Sequence, residues 1–308
     1  MLPQVATRLV HYLLVMDEQE AGPFLVVLGI AQDAGYPAAG CRKQCCQRAW
    51  KQPELRRHVA CLAIVDPAGR QRWLLDCTPD FPAQLNMLDA VAPVAGKLGL
   101  EGILLTHAHV GHYTGLIHLG REALDAHRVP VYAMPRMRRF LETNGPWDQL
   151  VDNRNIDIQD LVVGRVIELA DGISLTVFEV PHRDEYSETV GFRIIGPRRS
   201  ALYLPDIDGW DGEETGLADL LAEVDTAFID GTFFGTNELP SRDMSEIAHP
   251  LIIGTLERLN ELPASERAKV RFLHFNHTNP VLDPAGEEAQ AVITAGCGVA
   301  AELDIVEL

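Results

Sequence analysis

Residues 106–112 read Thr-His-Ala-His-Val-Gly-His and follow directly on the apolar run Gly102-Ile103-Leu104-Leu105. This feature narrows the choice of fold more than any other, because crowding polar rings beside a buried strand is costly unless something holds them there. Imidazoles two residues apart at a strand end can turn to one side, and a third one turn later can face them across a shared cavity. The spacing of His107, His109 and His112 is therefore that of a metal centre built on the end of a strand. His11, His58, His118 and His127 stand alone and read as ordinary surface or hydrogen-bonded residues.

The remaining chain supplies strands that could carry such a centre. Phe24–Gly29 reads as a first strand, followed by a loop from Asp33 to Gly40 rich in glycine and proline. Ala60–Val65 and Arg72–Asp76, joined by Asp66-Pro67-Ala68-Gly69, read as a hairpin. Helices are predicted over Phe81–Leu88, Gly115–Ala126, Arg136–Asn144, Leu217–Glu223, Leu251–Asn260 and Ala285–Ala295. Further strands are predicted over Val129–Met134, Ile173–Val180, Thr189–Ile195, Ala201–Leu204, Thr226–Asp230 and Val270–Phe275, with a closing strand after them. Strands and helices alternate in two similar halves without a flexible linker, which favours one layered α/β domain over residues 24–308, preceded by an N-terminal extension over 1–23. His182, Asp206 and His274 each end an apolar strand, so the candidate ligands recur at one edge of the sheets.

Charge and cysteine usage exclude some partners. With 44 acidic against 26 basic residues the net charge is −18, which repels extended polyanions and argues against a nucleic-acid partner. Arg136, Arg138 and Arg139 form the one basic knot and read as a solvated helix face. No apolar run reaches the roughly eighteen residues of a membrane span, and the first residues lack the design of a signal peptide. The expectation is a cytoplasmic protein with no membrane partner, acting on a small-molecule or short-peptide substrate and compatible with a homo-oligomer. Cys41, Cys45 and Cys46 crowd together instead of spacing out as a disulfide framework, and in a reducing compartment such thiols suggest metal.

The ordered set Thr-His-Ala-His-Val-Gly-His, Val-Pro-His, Leu-Pro-Asp and Leu-His-Phe-Asn-His resembles the signature of the metallo-β-lactamase superfamily, whose fold is a four-layer αββα sandwich. Gly-Ile-Ala-Gln-Asp-Ala-Gly-Tyr-Pro, Asp-Gly-Thr-Phe-Phe and His-Phe-Asn-His-Thr-Asn-Pro are similar, in order and spacing, to the family of pyrroloquinoline quinone (PQQ) biosynthesis protein B. The resemblance implies that His107, His109 and His182 hold a first metal, and that Asp206 bridges to a second held with His112 and His274. Zinc, iron or manganese would suit these donors. At Gly111 the chain departs from the superfamily pattern, which has an aspartate there; Asp33 or Asp208 could fill the vacancy. The family also implies a structural zinc at Cys41, Cys45 and Cys46, completed by His277, although adjacent cysteines do not easily bind one ion and a two-cysteine site or plain buried thiols stay open.

The chemistry implied is metal-dependent hydrolysis of an ester, lactone, amide or phosphodiester by an activated water. Asp206 would orient that water, and Tyr113 or Tyr186 would donate to a developing oxyanion. Two other classes compete: an iron-dependent oxygenase of PQQ-like cofactor biosynthesis, and a noncatalytic metal-binding protein.

Overall fold

The computed structural model describes residues 22–96, 98–212, 216–239 and 248–308. Most of the predicted extension at 1–23, including His11, lies outside the described residues. Among the described residues, fourteen strands form two seven-stranded sheets. The first holds β1 (Phe24–Gly29), β2 (Cys61–Asp66), β3 (Gln71–Leu75), β4 (Gly102–Leu104), β5 (Val129–Ala133), β6 (Ile156–Asp160) and, on the far side of β1, β14 (Ile305–Glu307). The second holds β7 (Val166–Ala170), β8 (Ile173–Glu179), β9 (Val190–Ile195), β10 (Ser200–Leu204), β11 (Thr226–Asp230), β12 (Val270–Leu273) and β13 (Gly298–Val299) in that order.

Why the inner strands read as unbroken apolar runs is visible in β1. Leu25 and Val27 face the cluster between the sheets, whereas Phe24, Val26 and Leu28 join a second cluster under the outer helices. A strand alternates its side chains between faces, so one buried on both sides has no polar position to offer. The helices at Phe81–Val91 and Pro135–Thr143 lend Phe81, Leu85, Leu88, Met137 and Leu141 to that outer cluster. On the other sheet, the helices at Leu217–Ala222, Ile252–Leu259 and Glu287–Thr294 lend Leu220, Leu221, Ile252, Leu259 and Val292 to the first. Helix, sheet, sheet and helix thus make the expected four-layer αββα sandwich.

Strand direction then places the chemistry. β3 and β4 run parallel, and β1 shares their direction because two antiparallel steps, through β2, separate it from β3. In the second sheet β10, β11 and β12 are parallel, and β8 points the same way through β9. The segments after β1, β3, β4, β8, β10, β11 and β12 carry Asp33, Asp76, His107, His182, Asp206, Thr232 and His274. Open sheets present ligand-binding groups beyond the carboxyl ends of parallel strands, and this one does so from both layers.

One expectation needs correction. The predicted helix over Gly115–Ala126 is a 3₁₀ turn over Thr114–Leu119 that stops at Gly120, whose extended backbone (ψ 173°) breaks the ladder. The chain then folds back, with Leu124 N donating to His118 O and Ala126 N to Leu119 O, while Leu116 and Leu119 still enter the core. Beyond the loop that ends at Gly40, Cys45 and Cys46 lie in the first turn of a helix at Gln44–Lys51. Strands β6 and β7 and the helix at Trp147–Asp152 are additions to the predicted elements. The basic knot lies on the helix at Pro135–Thr143, where Arg136 pairs with Asp184 at 3.0 Å and Arg138 with Asp160 at 2.8 Å, as a solvated face should. Among the described residues no helix is long and apolar enough to cross a membrane.

Candidate metal centre

His107, His109, His112, His182 and His274 meet beyond the strand ends, and all of these but His109 have one ring nitrogen tied down by the protein. His107 Nδ1 donates to Thr106 Oγ1 at 2.9 Å, His112 Nδ1 to Asp76 Oδ2 at 2.8 Å, His182 Nδ1 to Asp208 Oδ1 at 2.8 Å and His274 Nδ1 to Thr232 Oγ1 at 3.0 Å. Such partners fix both ring orientation and tautomer, leaving the Nε2 lone pair free. All four Nε2 atoms are buried with no hydrogen-bond partner, as are Asp206 Oδ2 and Asp33 Oδ1. Orphaned buried polar atoms are costly, and six of them converging on one space are the donor set of a cation. On His109, Nε2 faces Arg183 at 3.3 Å and Glu185 at 3.6 Å, which leaves Nδ1 for a metal.

Asp206 lies at the middle of this set. Its Oδ1 is 3.6 Å from His182 Nε2, while Oδ2 is 3.0 Å from His112 Nε2, 3.3 Å from His274 Nε2 and 3.7 Å from His107 Nε2. Potential donor atoms fall into overlapping groups: His107, His109 and His182; His107, His112 and Asp206; Asp33, His112 and His274. Within each group the atoms lie inside 4.8 Å of one another.

The electrostatics ask for positive charge. Burial pushes His107 well below the ordinary histidine range, and His112 adds to the depression, so its ring is neutral and able to ligate. Burial would also lower His112, but Asp76, Asp206 and Asp33 around it hold it well above that range. Burial works against an ionised Asp206, yet His274, His112 and His107 together keep its carboxyl well below the usual value. Two buried aspartates and the half-buried Asp33, which together raise one imidazole so far, would be neutralised equally well by a metal ion.

Asp76 and His249 belong to the site but were not singled out from the sequence. Asp76, fully buried with φ 70°, accepts from Thr106 N, Thr106 Oγ1, His112 Nδ1 and Tyr203 OH. Its signal was its place at the end of an apolar strand, the same one that marked Asp206. His249 donates from Nδ1 to Asp230 Oδ2 at 2.7 Å, and its ring lies tilted 5.2 Å from that of His182. No apolar run precedes it, so only its partner at the end of β11 could have pointed to it.

Residues 71–275 match the family described as "Beta-lactamase superfamily domain". The chain belongs to that superfamily. It is PqqB-like within it: it is 30% identical over 308 residues to the Coenzyme PQQ synthesis protein B of Methylobacterium nodulans, covering 89% of this chain and 96% of the relative. The crystal structure of Zn(2+)-bound PqqB from Methylobacterium extorquens superposes with a TM-score of 0.79 at 24% identity, covering 92% of this chain and all of that one. A diphosphatase from the PhnP family superposes at 0.66 with 22% identity, covering 94% and 98% of the two chains. Both structural matches show the shared metallo-β-lactamase fold.

Against this superfamily frame the remaining candidates take their places. Asp208, one of two carboxylates considered for the vacancy at Gly111, stands behind His182 as its hydrogen-bond partner and does not fill it. Asp33 lies 3.4 Å from His112 Nε2. Tyr113 is buried edge-on against Phe140 and Trp147 at 5.2 and 5.0 Å, and Tyr186 is 63% exposed beside Phe140. No hydrogen bond ties either tyrosine to the histidine cluster.

The thiols converge as well. Cys41, Cys45, Cys46 and His277 place their donor atoms within 4.8 Å of one another. Sγ of Cys41 and Cys45 are 3.8 Å apart, Cys45 and Cys46 4.0 Å, and His277 Nδ1 is 3.8 and 3.4 Å from the latter two. A tetrahedral ion with bonds of about 2.3 Å to sulfur separates its ligands by about 3.8 Å, so adjacent cysteines at a helix start do meet the requirement. Cys77, by contrast, is fully buried, and burial raises its thiol well above the usual range, as for an inert core residue.

Proposed function

We propose that this chain is a metal-dependent hydrolase acting on an ester, lactone, amide or phosphodiester bond of a small molecule or short peptide. The observation that carries the reading is the convergence of four unpartnered Nε2 atoms and two carboxylate oxygens in one buried space. His107, His109 and His182 would hold one zinc ion, His112 and His274 a second, and Asp206 would reach both; Cys41, Cys45, Cys46 and His277 would hold a structural one. Zinc at the histidine centre would lower the pKa of a bound water toward neutrality and polarise the scissile carbonyl or phosphoryl oxygen.

The chain's own residues supply the rest. Asp206 orients the attacking water by accepting its proton-bearing edge, and Asp208, Thr106, Thr232 and Asp76 keep the rings from turning. His249 stands 3.8 Å from Asp206 Oδ1 and is suited to give a proton to the leaving group. Burial disfavours its charged form, but Asp230, through charge and hydrogen bond, raises it to about 9, with Asp206 adding to the rise. Neutralising Asp206 removes part of that support and draws the value toward neutrality, where a general acid works best.

A second reading is an iron-dependent oxygenase of PQQ-like cofactor synthesis; its place in cofactor synthesis, though not its iron or oxygen chemistry, draws support from the curated relatives, Coenzyme PQQ synthesis proteins matched over about nine-tenths of the chain. Turnover of ester, lactone and phosphodiester probes by zinc-loaded protein under anaerobic conditions tests the choice. Hydrolysis that His109→Ala reduces by at least about 100-fold, with loss of metal and an unchanged fold, supports the first reading. Turnover that needs both iron and oxygen supports the second, and full metal binding without turnover of any probe leaves a noncatalytic role.

A further inference from the structure

We propose that Asp33, on the loop after β1, supplies the carboxylate for the second ion of the histidine centre in place of the side chain that residue 111 lacks. The inference rests on the reading of that centre as metal-binding. Three observations converge on it. Asp33 Oδ1 is buried without a hydrogen-bond partner, in the same condition as the Nε2 atoms it faces. It lies 3.4 Å from His112 Nε2 and forms with His112 and His274 a set of donors within 4.8 Å of one another. A Cβ built on Gly111 would fall 2.1 Å from Asp33 Oδ1, 2.7 Å from its Cα and 3.0 Å from its Cγ.

The third observation gives the first two their meaning. Gly111 does not have a left-handed backbone that would call for glycine, so close approach alone excludes a side chain there. What approaches is a carboxylate, and it occupies the volume into which an aspartate at 111 would project. The loop is also stitched to the ligand segment of β12. Gln32 N donates to Phe275 O at 2.8 Å, Asn276 Nδ2 donates to Gln32 Oε1 at 2.6 Å, and Gly35 N closes the turn on Gln32 O at 2.7 Å. Asp33 and His274 are therefore set by one hydrogen-bonded unit. Two imidazoles with Asp33 and Asp206 form a mixed nitrogen and oxygen set suited to a divalent cation.

The test is a metal titration of chelator-stripped, full-length protein with zinc, followed by elemental analysis after desalting, on wild type, Asp33→Asn, Gly111→Ala and His109→Ala. Asp33→Asn keeps the shape of the side chain and removes its charge, and an apo melting temperature within about 2 °C of wild type verifies its fold. The expected result is that Asp33→Asn binds one ion fewer, or binds the last ion more than about 100-fold more weakly. Gly111→Ala is expected to do the same although alanine carries no ligand, because its methyl displaces the carboxylate. His109→Ala loses the other ion. An Asp33→Asn titration superimposable on wild type, alongside a loss in His109→Ala, overturns the assignment of Asp33 and leaves the metal centre standing. Wild type that takes only one ion at the histidine centre also overturns it, and wild type that takes none there overturns both readings.

Discussion

The histidine centre and the thiol cluster are both donor sets without waste, but they are assembled by opposite means. At the centre, four of the five proposed ligand rings are held from behind by a hydroxyl or carboxylate, and the donors sit on the segments that follow the strand ends. The thiol cluster spans a loop, the first turn of a helix and His277, with Cys41, Cys45 and His277 only part-buried. Its sulfur atoms contact chiefly one another and His277. Burial first, and then its neighbouring thiols, push Cys46 up to about 12, so without a cation the sulfur keeps its proton. The difference teaches that the first set is held in place by protein partners behind its ligands, whereas the second has few such partners and would lean on an ion to hold it together.

The largest effect that could break this comparison is expected at the thiols. Cys46→Ser should cost one bound ion and lower the melting temperature by about 5–10 °C, while metal at the histidine centre persists. Elemental analysis with calorimetry checks it, and an unchanged melting temperature would show that the cluster is not a structural site. A smaller effect sharpens the other side: Asp208→Asn and Thr232→Val, which loosen His182 and His274 from behind, should weaken metal binding about 10–100-fold and leave the apo fold intact. Competition with a chelator of known strength measures this.

The smallest effect is a benchmark outside both sites. His58 Nδ1 pairs with Glu302 at 3.0 Å, and that hydrogen bond, opposed by burial, raises His58 above its ordinary value. A raised folded-state value means stability that is fully present below the unfolded pKa of about 6.5 and is lost as pH rises through the folded one. With His58 about a third exposed, the contribution should be under about 1 kcal/mol. Glu302→Gln should erase that slope in denaturant titrations run on either side of neutrality, leaving both metal sites unaffected.

The parts of the fold legible in the sequence were those buried on both sides. Strands such as β1, β2, β10 and β11 allow no polar residue until they end, so Asp206 and His274 advertised themselves by interrupting apolar runs. Strands β6 and β7 were missed because the first alternates as Ile-Asp-Ile-Gln-Asp and the second is largely exposed at its sheet edge. At the site, the three clustered histidines were visible because their spacing is local. Asp33 and Asp208 could not be told apart, since which one meets Gly111 depends on a loop packing against a helical turn far along the chain. His249 had no local signal at all, because what defines it is Asp230 across the sheet edge.

The close approach of Asp33 to position 111 also limits what a single substitution can do. A side chain at 111 would meet the Cα of Asp33 as well as its carboxylate, so shortening Asp33 would not make room for it. The loop after β1 would have to stand further out, and Gln32, with its bonds to Phe275 and Asn276, would have to move with it. The acid at this corner of the centre is therefore a property of a whole loop and its anchorage, and it cannot be carried to residue 111 by one exchange.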